Sequence, residues 1–78
     1  MSLKLSIEAL EVIDAIARKG SFAAAAEALY RVPSALTYTV QKLESDLCVQ
    51  LFDRSGHRAT LTEAGAELLK EGRYLLEA

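Results

Sequence analysis

Three residues, Tyr30-Arg31-Val32, separate two stretches of helical apolar spacing, and a proline stands directly after them. Inside a helix Pro33 would lack a backbone donor and clash with the preceding turn, yet its fixed φ suits a first helical position. The chain must therefore end one helix near Leu29 and begin another at Pro33. A joint this short leaves the two helices packed against each other, and every other element has to be arranged around that pair.

Upstream, Ser6 is a candidate N-cap, with Glu8 and Glu11 near the positive end of a helix dipole. Ile7, Leu10, Ile13 and Ala17 recur at three- and four-residue spacing, the apolar stripe of a first helix. Arg18-Lys19-Gly20 closes it with cations and a residue free to turn left-handed. Ser21 caps a short second helix reaching about Leu29, with Phe22, Ala25, Ala26 and Leu29 facing inward. The third helix runs from Pro33 to about Leu47, with Leu36, Val40, Leu43 and Leu47 on one side. Its other side carries Ser34, Thr37, Tyr38, Gln41, Lys42 and Ser45, hydrogen-bonding groups with one full positive charge among them. A face meant only for solvation would carry more Glu and Lys.

After Cys48 the period changes. Val49, Leu51 and Phe52 suggest one short strand and Ala59 to Leu61 another, around the basic turn Asp53-Arg54-Ser55-Gly56-His57-Arg58. Thr62 then caps a last helix whose apolar positions are Ala64, Leu68, Leu69, Leu75 and Leu76. That is more apolar surface than a small core absorbs, so Leu68, Leu69, Gly72, Leu75 and Leu76 are the expected homodimer interface, with Gly65 and Gly72 permitting close approach. The whole order predicts a mainly α, winged helix-turn-helix fold: three helices, a short β-hairpin wing and a C-terminal linker helix. Residues 1–61 form the domain, and 62–78 begin the linker and dimerisation helix.

Composition limits the function. With 51% hydrophobic and 26% charged residues the chain is ordinary for a folded domain. No run approaches the roughly 20 apolar residues of a membrane span, and Met1-Ser2-Leu3-Lys4-Leu5 lacks an export signal. The lone Cys48 forms neither an internal disulfide nor a cysteine-rich metal site, which points to the cytoplasm. His57 has no ligand cluster around it, and no catalytic constellation stands out, so neither a metal, a cofactor nor an enzyme is expected. The net charge of −2 is unusual for a nucleic-acid binder; between Arg31 and Arg58 the chain sets Arg31, Lys42, Arg54 and Arg58 against Glu44, Asp46 and Asp53, and the other acids sit mainly in the first and last helices.

Six fragments occur in register: Gly20-Ser21-Phe22, Ala25-Ala26-Glu27-Ala28-Leu29, Ser34-Ala35-Leu36-Thr37, Gln41-Lys42-Leu43-Glu44, Leu51-Phe52-Asp53-Arg54 and Leu61-Thr62-Glu63-Ala64-Gly65. Together they resemble the N-terminal DNA-binding domain of LysR-type transcriptional regulators. The resemblance implies a longer regulator in which a separate C-terminal domain, absent from this chain, takes a small-molecule effector. Four positions depart from the family pattern. Tyr38 and Gln41 stand where basic residues are common, Val32 replaces a better helix cap, and Cys48 occupies a position usually held by glycine, where a left-handed backbone is expected.

An α-helix fits the major groove of duplex DNA, and the second helix of such a motif enters by its N-terminal part. Pro33, Ser34, Thr37 and Tyr38 are then the expected base-facing group, with Gln41 in reach of adenine and Lys42 of a phosphate. Arg54, His57 and Arg58 of the wing belong beside the backbone or minor groove, and Arg31 is a further phosphate candidate. The competing expectation is a winged helix that has lost DNA and serves only as a protein-interaction or dimerisation module.

Overall fold

The computed structural model describes residues 7–56 and 58–77, the last four of them by backbone alone. The elements are α1 (Ile7–Lys19), α2 (Phe22–Ala28), α3 (Pro33–Leu47), β1 (Phe52–Asp53), β2 (Thr60–Leu61) and α4 (Glu63–Glu77). The two strands pair antiparallel, Phe52 opposite Leu61 and Asp53 opposite Thr60. This is the winged helix-turn-helix expected from the sequence, and its element order matches.

Helix α1 is the centre of the fold because α2, α3 and α4 all pack against it. Burial accordingly spreads beyond a single stripe to Ala9, Leu10, Val12, Ile13, Ala15 and Ile16. Ile7, expected to face inward, is 60% exposed at the helix start. The small Ala25 and Ala26 of α2 are fully covered, and Leu36, Val40 and Leu43 supply the inner face of α3. Leu51, Phe52 and Leu69 close the core from the wing side and from α4.

Each of the first three helices stops on a left-handed residue. Gly20 at φ +80° donates to the Ile16 carbonyl. Tyr30, at φ +58°, follows the same logic: its N–H goes to Glu27 O and that of Arg31 to Ala26 O. At the end of α3, Cys48 has φ +58° and donates to Ser45 O, while the Val49 N–H reaches Glu44 O. These paired bonds close the orphan carbonyls of a helix end, and Cys48 holds the left-handed backbone inferred for it. The starts also follow the sequence. Ser21 Oγ accepts from the Ala24 N–H at 3.0 Å, and Thr62 Oγ1 accepts from the Gly65 N–H at 3.1 Å. Val32 caps α3 with no side-chain hydrogen bond, leaving Pro33 to start it.

Both strands are shorter than expected, for one physical reason: their neighbours' N–H groups are engaged elsewhere. Val49 N–H closes α3, and the Leu51 N–H donates to the Glu44 carboxylate at 2.7 Å, so β1 begins only at Phe52. The Ala59 N–H donates to Gly20 O at 3.0 Å, so β2 begins at Thr60.

The interface expected on the last helix needs correction. Leu69 is 1% exposed and belongs to the core. Gly72 is buried against α1, where an added Cβ would lie 2.2 Å from a Leu10 methyl. Gly65 meets Leu51 O in the same way. These glycines bring α4 close to its own domain, since α1 and the segment before β1 occupy the space a partner would need. An ion pair reinforces the seam: Asp14 of α1 accepts from Arg73 Nη2 of α4 at 3.0 Å, and is itself held by Arg18 Nε of its own helix at 2.9 Å. Leu68 remains only partly buried, and the side chains of Leu75 and Leu76 lie outside the described residues.

Candidate nucleic-acid interface

Because Leu36, Val40 and Leu43 anchor α3 inward, its opposite side is held toward solvent. Pro33, Ser34, Tyr38, Gln41 and Lys42 are exposed there, and Thr37 is half-buried beside them. The side chains of Ser34, Thr37, Tyr38 and Gln41 form no hydrogen bond among the described residues, so their donors and acceptors remain available. Thr39 differs: its hydroxyl donates back to Ala35 O at 3.0 Å. Lys42 sits 3.8 Å from Asp46 with its side chain 60% exposed. A pair that open is worth little and exchanges readily for another anion.

Arg31 stands in the turn before α3, ion-paired and hydrogen-bonded to Glu8 of α1. Both side chains are about half exposed, so the guanidinium is engaged within the chain without being removed from solvent.

The wing is tied down from two sides. Asp53 Oδ1 accepts from the Ser55 N–H at 2.9 Å and from its hydroxyl at 2.7 Å, closing the turn. Those hydrogen bonds, the hydroxyl's first, hold the Asp53 carboxyl below its usual pKa of 3.8. Arg54 lies over the Phe22 ring with Cζ 4.1 Å from the centroid, and Phe22 meets Phe52 edge-on at 5.8 Å. Arg58 Nη2 reaches the Lys19 carbonyl at 3.5 Å, packed over Gly20, where any Cβ would lie 2.0 Å from that nitrogen. Arg54 and Arg58 thus line one shallow hollow with Ser21, Phe22, Gly56 and Ala59, and among the described residues no carboxylate lines it. His57 lies outside the described residues.

Sequence patterns concealed several of these relations. Glu44, which looks like one more surface acid of α3, accepts from both the Leu51 and Phe52 N–H groups, at 2.7 and 3.4 Å. It joins the third helix to the wing. Its position one turn before a helix end, followed closely by a short strand, was the available signal. Glu8 as the partner of Arg31, and Phe22 as the seat of Arg54, bridge distant segments and left no local mark. Among the described residues no cluster of His, Cys, Asp and Glu could hold a metal, and no helix is long and apolar enough to cross a membrane.

Residues 7–66 match the family model described as bacterial regulatory helix-turn-helix protein, lysR family. The chain is 66% identical over 74 residues to the probable HTH-type transcriptional regulator YhaJ of Escherichia coli (strain K12), covering 95% of this chain and 25% of that protein. It therefore spans about a quarter of the length of this curated relative. Among solved structures, it is similar to the DNA-binding domain of CbnR in complex with DNA, with a TM-score of 0.87 at 37% identity over 94% of this chain and 84% of that one. The BenM DNA-binding domain in complex with benA site 1 DNA gives a TM-score of 0.88 at 26% identity, over 94% and 82% of the two chains.

Proposed function

The chain belongs to the lysR family of bacterial regulatory helix-turn-helix proteins, and from that premise we propose that it is the sequence-specific DNA-binding domain of a transcriptional regulator. The observation that carries this is the outer face of α3. Among the described residues, the side chains of Ser34, Thr37, Tyr38 and Gln41 keep their hydrogen-bonding groups unused there, on the helix that follows the tight turn.

In this reading α3 enters the major groove by its N-terminal half. Ser34 and Thr37 hydroxyls and the Gln41 amide meet base edges, while the Pro33 and Tyr38 rings pack on thymine methyls. Lys42 and Arg31 meet phosphates by leaving Asp46 and Glu8. Arg54, His57 and Arg58 lie along the backbone or minor groove, where they set register without reading sequence. The net charge of −2 is no obstacle, because among the described residues the charged groups lining the hollow between the wing and α2 are Arg54 and Arg58.

Two copies would join through the outer side of α4, using Leu68 and the continuing Leu75 and Leu76, and so present two α3 helices to a partly palindromic site. An open groove beside Leu68, lined also by Leu47, Val49, Leu51 and Ala64 together with the acids Glu67 and Glu71, offers an apolar strip for pairing on that side. The remaining three quarters of the relatives' length is where a small-molecule effector would act, in the cytoplasm.

A mobility-shift titration against salt tests the reading. Log affinity should fall with log salt at a slope on the order of 0.9 per phosphate contacted, with a preference for selected sites over random duplex. Salt-insensitive binding without sequence preference would leave the domain as a protein-interaction module.

A further inference from the structure

Neither arginine described in the wing stands free. Arg58 is fixed between the Lys19 carbonyl and the side-chain-free face of Gly20. Arg54 has no hydrogen bond or carboxylate partner among the described residues; what holds it is the Phe22 ring, 4.1 Å beneath its Cζ. Phe22 is itself held edge-on by Phe52, which is 3% exposed and so immobilised in the core. The line Phe52–Phe22–Arg54 therefore connects the packed interior to a surface charge.

An unrestrained arginine samples many rotamers and loses that freedom on meeting a phosphate, which weakens binding. The negative face of an aromatic ring attracts a guanidinium without using its N–H donors. The donors of Arg54 thus stay free while its position beside Arg58 is set in advance, in the hollow both residues line.

We propose that Phe22 is a positioning residue for DNA binding: its ring holds the Arg54 guanidinium so that Arg54 and Arg58 meet the phosphate backbone together, already ordered. This rests on the DNA-binding reading above. Phe22 itself makes no contact with DNA in the proposal and acts only through Arg54.

The test is a double-mutant cycle, with affinity for a mixed-sequence duplex measured by fluorescence anisotropy across a salt series. Phe22→Leu should weaken binding about 3- to 5-fold, and the same change in an Arg54→Ala background should have no effect. Phe22→Tyr should bind as the wild type does. Pentafluorophenylalanine at position 22 keeps the ring's shape and packing but reverses the charge of its face. It should weaken binding as leucine does, and it serves if the leucine variant fails to fold. Equal losses in both backgrounds, or wild-type affinity with the fluorinated ring, would overturn the proposal and leave Phe22 as packing alone. Wild-type affinity in Arg54→Ala itself would remove the wing from the interface and the proposal with it. Absence of duplex binding by the unaltered chain would overturn the DNA reading first.

Discussion

Cys48 offers a clean test of how the third helix is terminated. Its φ of +58° lies in the left-handed region, which for a residue with a Cβ costs roughly 1–2 kcal/mol. The side chain gives little in return: it is exposed, and its thiol lies 3.7 Å from the Ser45 carbonyl. Cys48→Gly should relieve that strain while adding about 0.5–1 kcal/mol of chain entropy to the unfolded state. The net gain is about 0.5–1 kcal/mol. For a domain of this size that is a rise in Tm of about 2–8 °C. Thermal melts followed by circular dichroism, under reducing conditions, would measure it. Cys48→Ala is the control, because alanine retains the Cβ and with it the strain, and so should melt within a degree or two of the parent. Equal melting temperatures for the glycine and alanine variants would show that the backbone there is not strained, and the reasoning would fail.

Three other perturbations follow from contacts already described. Gly65→Ala would place a Cβ 2.2 Å from the Leu51 carbonyl; despite better helix propensity it should destabilise by about 1–3 kcal/mol in urea unfolding, and a stabilised variant would refute the close packing of α4. Glu8→Gln should release Arg31 from its partner and tighten duplex binding a few-fold, while Arg31→Ala should make the salt slope shallower by about 0.9; an unchanged slope in Arg31→Ala would mean Arg31 meets no phosphate. Asp53 has a folded pKa below its ordinary value, so its contribution is present above about pH 3.8 and lost as pH falls through the lowered value. An NMR titration of the Ser55 amide should therefore show the wing turn loosening only in strong acid, and a midpoint above 3.8 would contradict the hydrogen bonds drawn to that carboxylate.

Much of this molecule could be read from residue spacing because its helices are delimited by local chemistry. Ser21 and Thr62 start helices, Gly20 ends one, and Pro33 opens the third. The chemistry of α3's outer face was equally legible, since Ser34, Thr37, Tyr38 and Gln41 needed only a helix to bring them to one side. Strand limits were not, because the groups that claim the Leu51 and Ala59 N–H belong to other elements: the Glu44 side chain of α3 and the carbonyl of Gly20, the latter far off in sequence. Nor could periodicity tell which side of α4 meets its own domain. A leucine stripe looks the same whether its own domain or a second copy covers it, and Leu69 proved to lie in the core and Gly72 against Leu10 of α1.

The Glu44 carboxylate, gripping the first residues of the wing from the last turns of α3, has a mechanical consequence. Helix and hairpin cannot swing independently: a tilt of one would strip a charged acceptor of its donors. Such a stiff reading head cannot adapt itself to each operator's curvature. In the proposed complex it is the duplex that deforms, and stretches rich in easily kinked pyrimidine–purine steps are then expected to gain an advantage at positions no side chain touches.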